Sequence, residues 1–356
     1  MITQTLKRTA SLCLFGLLFL SVLEVCARVD DAVKWGAPLL GTYSRESLTM
    51  VDELGYRNRP NAQFEKWKIN SFGFRGAEIQ RQAPDGTIRI MILGASETFG
   101  LYEEPGKEFP AQLEVKLNQV RAGRFQVLNA AVPGISPPRL KHLYEHWLAD
   151  FRPDWVIYYP SLSVYLLWHP PGPLVLDTIP QQQGKVFESR ILAKVRVAVK
   201  RFLPERLQTA MRKILIRQAV ADIPQDRIFH HPPPERLKLL EQQLAELVRT
   251  IQASGARTVL TTHAVAIEPP LSDHEQQLLT GWRKLYPHVA ETAFLEMENL
   301  GNQTVKKVAA ATGSDLIDID AQLPKSQAYF TDHVHFTTEG AEQMAKILTK
   351  ALLSLF

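Results

Sequence analysis

Cysteine is nearly absent from this chain. Only Cys13 and Cys26 occur, both in or beside an N-terminal apolar stretch. That excludes a disulfide framework and a thiolate metal site in the rest of the chain. It does not exclude an oxidising compartment, because a core of this size needs no staples. A strong charge of one sign is also missing. Forty-one Lys and Arg face 37 Asp and Glu, a net charge of +4. No P-loop, G-x-G-x-x-G turn or nucleic-acid-binding signature occurs, and no nucleic acid partner is expected. Internal repeats and low-complexity linkers are lacking. There is a single long apolar run, so a multi-span membrane protein is excluded, and a 45% apolar composition excludes a disordered chain.

That run extends from Ala10 to Val25, broken by Ser11, Ser21 and Glu24, and comes after Lys7 and Arg8. Positive charge before it predicts that its start stays in the cytoplasm and that the remainder of the chain lies outside. Three readings stand for residues 1–28, in descending order: an uncleaved single-pass anchor in the inner membrane, a signal cleaved near Val25-Cys26-Ala27, and a buried helix of the main domain. Residues 29–82 read as an irregular extension. Within it, Asn70-Ser71-Phe72-Gly73-Phe74-Arg75-Gly76 reads as a turn whose phenylalanines pack on the core.

From residue 83 strands and helices alternate. Strands are expected at Ile88–Leu93, Phe125–Asn129, Trp155–Tyr159, Arg257–Thr262 and Asp315–Ile319. Helices are expected at Phe109–Val120, Pro138–Asp150, Glu235–Ala253, Glu291–Ala311 and Thr338–Leu353. This rhythm predicts an α/β three-layer sandwich with a central parallel sheet of about five strands. Residues 164–234 break the rhythm. From Lys185 to Arg217 ten basic residues meet only Glu188 and Glu205, with Ile191, Val195, Val199 and Phe202 at helical spacing. A basic helical insertion is expected. It reads equally as a solvated cap and as a contact for anionic lipid headgroups or an acidic glycan.

In open α/β sheets ligands bind beyond the carboxyl ends of the strands. Ser96 comes after the first strand, Gly134 after the second, Ser161 and Ser163 after the third, and His263 after the fourth. Asp332 and His335 precede the last helix. A serine alcohol needs a base within reach and a third group to orient that base. Asp332 and His335, three positions apart, supply both for Ser96. The backbone N–H groups of Ser96 and Gly134 are candidate donors to an oxyanion. The bland readings are a packed or solvated His333, a structural His263, a loop at His230-His231 and an outward, solvated Glu97. Asp332, His333 and His335 lack a further ligand to complete a metal site, so neither metal nor cofactor is expected.

These blocks resemble the GDSL/SGNH hydrolases, membrane-anchored bacterial type, from Ile88 to the C-terminus with the insertion excepted. Gly94-Ala95-Ser96 stands where that family has Gly-Asp-Ser. Gly134 stands at the oxyanion glycine, and Asp332-His333-Val334-His335 matches the terminal Asp-x-x-His. The chain departs from the pattern at Ala95 and in the third block, where Ser161 takes the Gly place and Ser163 the place of the Asn oxyanion donor. The resemblance implies a flavodoxin-like SGNH fold and an acyl-serine enzyme with catalytic Ser96, His335 and Asp332. It implies an oxyanion hole with Gly134 and Ser163, and an extracytoplasmic esterase for O-acyl glycan esters. An O-acyltransferase with a sugar acceptor, and a non-catalytic glycan-binding or assembly component, remain open beside it.

Overall fold

The computed structural model describes residues 2–41, 43–167 and 189–356, apart from 205, 206, 209, 212, 213, 216, 217, 219, 220, 222 and 284. The proline-rich Trp168 to Pro173, and much of the expected basic insertion, lie outside the described residues.

The chain opens on one long helix, α1 (Ile2–Trp35). Within its segment Ala10–Trp35, an 18-residue stretch has a mean hydropathy of 2.2 with 6% of its residues buried, so by length and composition the helix can cross a membrane. The helix therefore runs past the expected boundary at residue 28, because Val29 to Trp35 carry no glycine or proline to stop it. The extension is more ordered than expected. It holds two hairpins, β1 (Thr49–Asp52) with β2 (Gly55–Asn58), and β3 (Gln63–Phe64) with β4 (Trp67–Lys68).

The sheet comprises β5 (Ile88–Leu93), β6 (Phe125–Asn129), β7 (Trp155–Tyr158), β8 (Arg257–Thr261) and β9 (Asp315–Ile317). All pairings are parallel, in the order β6-β5-β7-β8-β9. This is the flavodoxin-like order, whose switch point lies beside the first strand. Ile90, Met91, Ile92 and Leu93 are fully buried, as a strand covered on both faces requires. Arg89 is tolerated in that strand because Gln126 Oε1 and the carbonyls of Phe151 and Gln80 accept from its guanidinium at 2.8–2.9 Å.

The helices after α1 are α2 (Ser96–Phe99), α3 (Phe109–Val120), α4 (Pro137–His146), α5 (Arg190–Phe202), α6 (Pro234–Ala253), α7 (Asp273–Trp282), α8 (Glu291–Thr312), α9 (Ile319–Gln322) and α10 (Thr338–Leu353). Helix α3 packs on α10, while α4, α6 and α8 pack in series. Gly313, in left-handed conformation, stops α8, and Thr337 caps α10 by accepting from Gly340 N–H at 3.0 Å. Helix α4 is shorter than expected: it ends at His146, and Leu148–Phe151 forms a 3-10 turn. Helix α7, unexpected from periodicity, begins with a capping box between Ser272 and Glu275.

The Asn70 turn joins the extension to the sheet. Asn70 Oδ1 accepts from the N–H groups of Phe72 and Phe74, both at 3.0 Å. Both rings meet Phe151 edge-on, at 5.2 and 4.8 Å. Buried Arg75 donates to the carbonyls of Phe99, Gly100 and Glu103, which ties this turn to the end of α2.

Candidate active site

Ser96 is the first residue of α2, directly beyond β5. The turn that places it there requires glycine at 94. A Cβ on Gly94 would lie 2.1 Å from Thr98 Oγ1 and 3.0 Å from the Tyr159 carbonyl oxygen. Ser96 Oγ lies 2.9 Å from His335 Nε2. On the other side of the imidazole, His335 Nδ1 lies 2.8 Å from Asp332 Oδ2. The backbone N–H groups of Val334 and His335 donate to Asp332 Oδ1 at 3.0 and 2.9 Å, so the carboxylate is fixed by its own turn. Tyr102 OH donates to Asp332 Oδ2 at 3.4 Å, and its ring stands edge-on to His335.

The three side chains line one cavity of about 780 Å³, together with Gly134, Ser161 and Ser163. Gly134 has φ +76°, a left-handed conformation that favours glycine. Its loop is held from the extension, where Tyr56 OH donates to the Pro133 carbonyl at 2.8 Å and Asn58 Nδ2 to the Ala131 carbonyl at 2.9 Å. Ser163 Oγ pairs with Tyr286 OH at 3.2 Å. Burial pushes the Tyr286 phenol up to about 12, so it keeps its proton. Ser161 donates to Glu97 Oε1 at 3.2 Å.

Glu97 corrects the sequence reading. It is not solvated but 4% exposed, and its Oε2 lies 3.1 Å from Ser96 Oγ. Ser96 therefore has two acceptors for one hydroxyl proton. The carboxylate is tolerated inside because His263, two residues beyond β8, faces it with Nε2 3.6 Å from Oε1. His263 Nδ1 in turn meets Glu298 of α8 at 2.6 Å. Asn302 clamps the His263 backbone through both N–H and carbonyl, each at 2.8 Å. Burial works against the charge on His263, but the two glutamates outweigh it and hold its pKa well above the ordinary value. Burial likewise works to raise Glu97, and the two histidines hold it well below the carboxylate range. A Glu⁻–His⁺–Glu⁻ line thus runs inward from the serine.

No periodicity or motif announces this line. Its one trace in the sequence is that Glu97 and His263 each come after a strand at the same sheet edge. His333 packs edge-on to Phe294 at 5.4 Å, and burial brings it down to about 4, so it is neutral. Among the described residues no group of three or more His, Cys, Asp or Glu is placed to hold a metal.

For His335, burial lowers the pKa, but the Asp332 hydrogen bond and the charges of Glu97, Asp332 and Glu103 raise it above its ordinary value. Below that pKa the imidazolium donates to Ser96, and Ser96 donates to Glu97. Above it neutral His335 accepts from Ser96.

No family model and no curated protein sequence matches the chain. Solved structures do. A lipase/acylhydrolase from Enterococcus faecalis is 13% identical with a TM-score of 0.43, over 75% of this chain and 95% of that one. The acetylxylan esterase Axe2 from Geobacillus stearothermophilus is 16% identical with a TM-score of 0.43, over 74% and 94%. A GDSL-like lipase from Bacteroides thetaiotaomicron is 10% identical with a TM-score of 0.41, over 75% and 89%. The chain is similar in structure to these lipases and esterases, at low identity throughout.

Proposed function

We propose that the protein is a serine esterase that cleaves O-acyl esters through an acyl-serine intermediate. The observation that carries this reading is the 2.9 Å contact between Ser96 Oγ and His335 Nε2, with Asp332 2.8 Å from the other ring nitrogen. His335 takes the Ser96 proton as Oγ attacks the acyl carbonyl, then returns it to the departing alcohol. Water, deprotonated by the same imidazole, releases the acid and restores Ser96. Asp332 holds the tautomer and stabilises the imidazolium. The oxyanion is met by the N–H groups of Ser96 and Gly134. If Tyr286 donates to Ser163 Oγ, the Ser163 proton is left to join them.

The cavity is compatible with a glycan ester as substrate. Its volume suits a sugar unit. Half-exposed Tyr102 lines it, and Arg45, Glu46 and Arg139 bring polar groups to its wall. With α1 as a membrane anchor and Lys7 and Arg8 on its cytoplasmic side, the domain faces O-acylated glycans of the cell envelope or exported glycans.

A fluorophosphonate tests the assignment. It is expected to label Ser96 in the wild type, and acetate is expected to pass from a model ester to water. A folded protein that takes no label has lost the esterase reading. Acetate passing mainly to an added oligosaccharide replaces it with an acyltransferase.

The pH dependence carries a second expectation. The base must be neutral, so kcat/KM should rise with pH through an acid limb above the ordinary histidine value of about 6.5. Glu97→Gln removes one negative neighbour and should move that limb to lower pH. An unmoved limb means that Glu97 does not act on His335.

A further inference from the structure

We propose that α5 is an interfacial helix that lies on the bilayer beside α1 and fastens the domain to anionic phospholipid. This rests on the reading of α1 as a span.

Leu192, Val195, Val199 and Phe202 recur at i, i+3, i+7 and i+10 along α5, which places them on one stripe. The stripe is uncovered: Leu192 is 58% exposed and Phe202 83%. The neighbouring side of α5 is bound to α1. Arg190 Nη1 meets Asp31 Oδ2 at 3.2 Å with both side chains largely buried, and Lys194 Nζ reaches Asp30 and Asp31 at 2.7 and 2.6 Å.

Glu24 gives the depth. It is the sole acidic residue of the apolar run, and it caps α5. Its carboxylate accepts from the N–H groups of Arg190 and Ile191 at 3.1 and 3.2 Å, and from Ser189 Oγ at 2.9 Å. A charge at that position needs partners within the protein, and Arg28 of α1, whose Nε donates to Glu24 at 2.8 Å, and the first turn of α5 together supply them. About 20 helical residues cross a hydrocarbon core of about 30 Å. Counted from Ala10, the crossing ends near Val29, so Glu24 lies within it and Asp30 and Asp31 at its edge. The start of α5, bonded to Glu24, therefore sits just inside the hydrocarbon boundary, and Lys194, paired with Asp30 and Asp31, sits at it.

Charge agrees with this placement. Arg196 is exposed on the flank of the stripe, and the sequence from Lys185 to Arg217 holds ten basic against two acidic residues. An apolar face bordered by cations suits the boundary between acyl chains and anionic headgroups. One bilayer covers the α1 run and the α5 stripe together, whereas a protein partner would cover only the second.

The full chain in nanodiscs of phosphatidylcholine and phosphatidylglycerol tests this. With Cys13 and Cys26 replaced by serine, nitroxides are placed singly through Leu18→Cys in α1, Val199→Cys in α5 and Val115→Cys in α3. The ratio of oxygen to nickel-chelate accessibility is read by electron paramagnetic resonance. Positions 18 and 199 are expected to exceed position 115 severalfold. A lipid-like label at 18 with an aqueous label at 199 overturns the α5 proposal while leaving the span. Aqueous labels at both overturn the span and the proposal with it. A label at 199 shielded from both relaxants, with spin–spin broadening between chains, assigns the stripe to a second copy instead.

Discussion

Ser96→Ala should abolish ester cleavage while leaving the fold intact. The expected loss in kcat is on the order of a million-fold, the scale seen when a serine hydrolase loses its nucleophile, with oxyanion and binding contributions left behind. The fold is insulated from this change, because Ser96 Oγ supports only His335 and Glu97, and both have other partners. Asp332→Asn should cost about 10⁴-fold by presenting the wrong imidazole tautomer. Steady-state kinetics on a model acetate, with denaturation curves matching wild type, checks both. If Ser96→Ala retains more than a small fraction of wild-type turnover, the nucleophile is another residue.

His263→Phe should be the most costly substitution for stability. The wild-type cation lies between Glu97 and Glu298 with almost no exposure. Its removal leaves two buried carboxylates without a counter-charge, and breaking such a network costs about 3–5 kcal/mol. Urea unfolding at neutral pH measures this. The signs with pH are opposite for the two groups. The contribution of His263, whose pKa is raised on folding, is full below its unfolded pKa and fades as pH climbs through the folded one. The contribution of Glu97, whose pKa is lowered, is present above its unfolded pKa and fades as pH falls through the folded one. In His263→Phe the Glu97 carboxylate loses the cation that holds its pKa down, so the variant should regain stability on mild acidification. Adding Glu97→Gln and Glu298→Gln should recover much of the loss at neutral pH, because replacing a whole buried ionic network is far cheaper than breaking it. A single variant as stable as wild type would mean that the cation contributes nothing there.

The proposed triad and the buried ionic line differ in how far the chain discloses them. Ser96, Asp332 and His335 are legible in the sequence because their neighbourhoods are local. A glycine-bounded turn closes β5, and an Asp-x-x-His turn precedes a helix. The alternating strands and helices are equally legible, since a strand covered on both faces must be a continuous apolar run and a covering helix must be amphipathic. Helix α7 and the two hairpins are not. Their short segments have mixed polarity, and their order comes from a capping box and from cross-strand partners.

Sequence by itself determined the element rhythm, the order of the sheet-edge residues and the chemistry available to them. Periodicity and turn residues act within a few positions, and those features are set at that range. Tertiary structure alone decided which charges are inside. Glu97 reads as a surface residue until β8 and α8 bring His263 and Glu298 behind it, 166 and 201 positions later in the chain. Glu24 reads as a flaw in an apolar run, and although Arg28 answers it within α1, the rest of its partners come only when the first turn of α5 is set upon it. A buried charge is stable only with its partners in place, and partners so distant in the chain become neighbours only through packing.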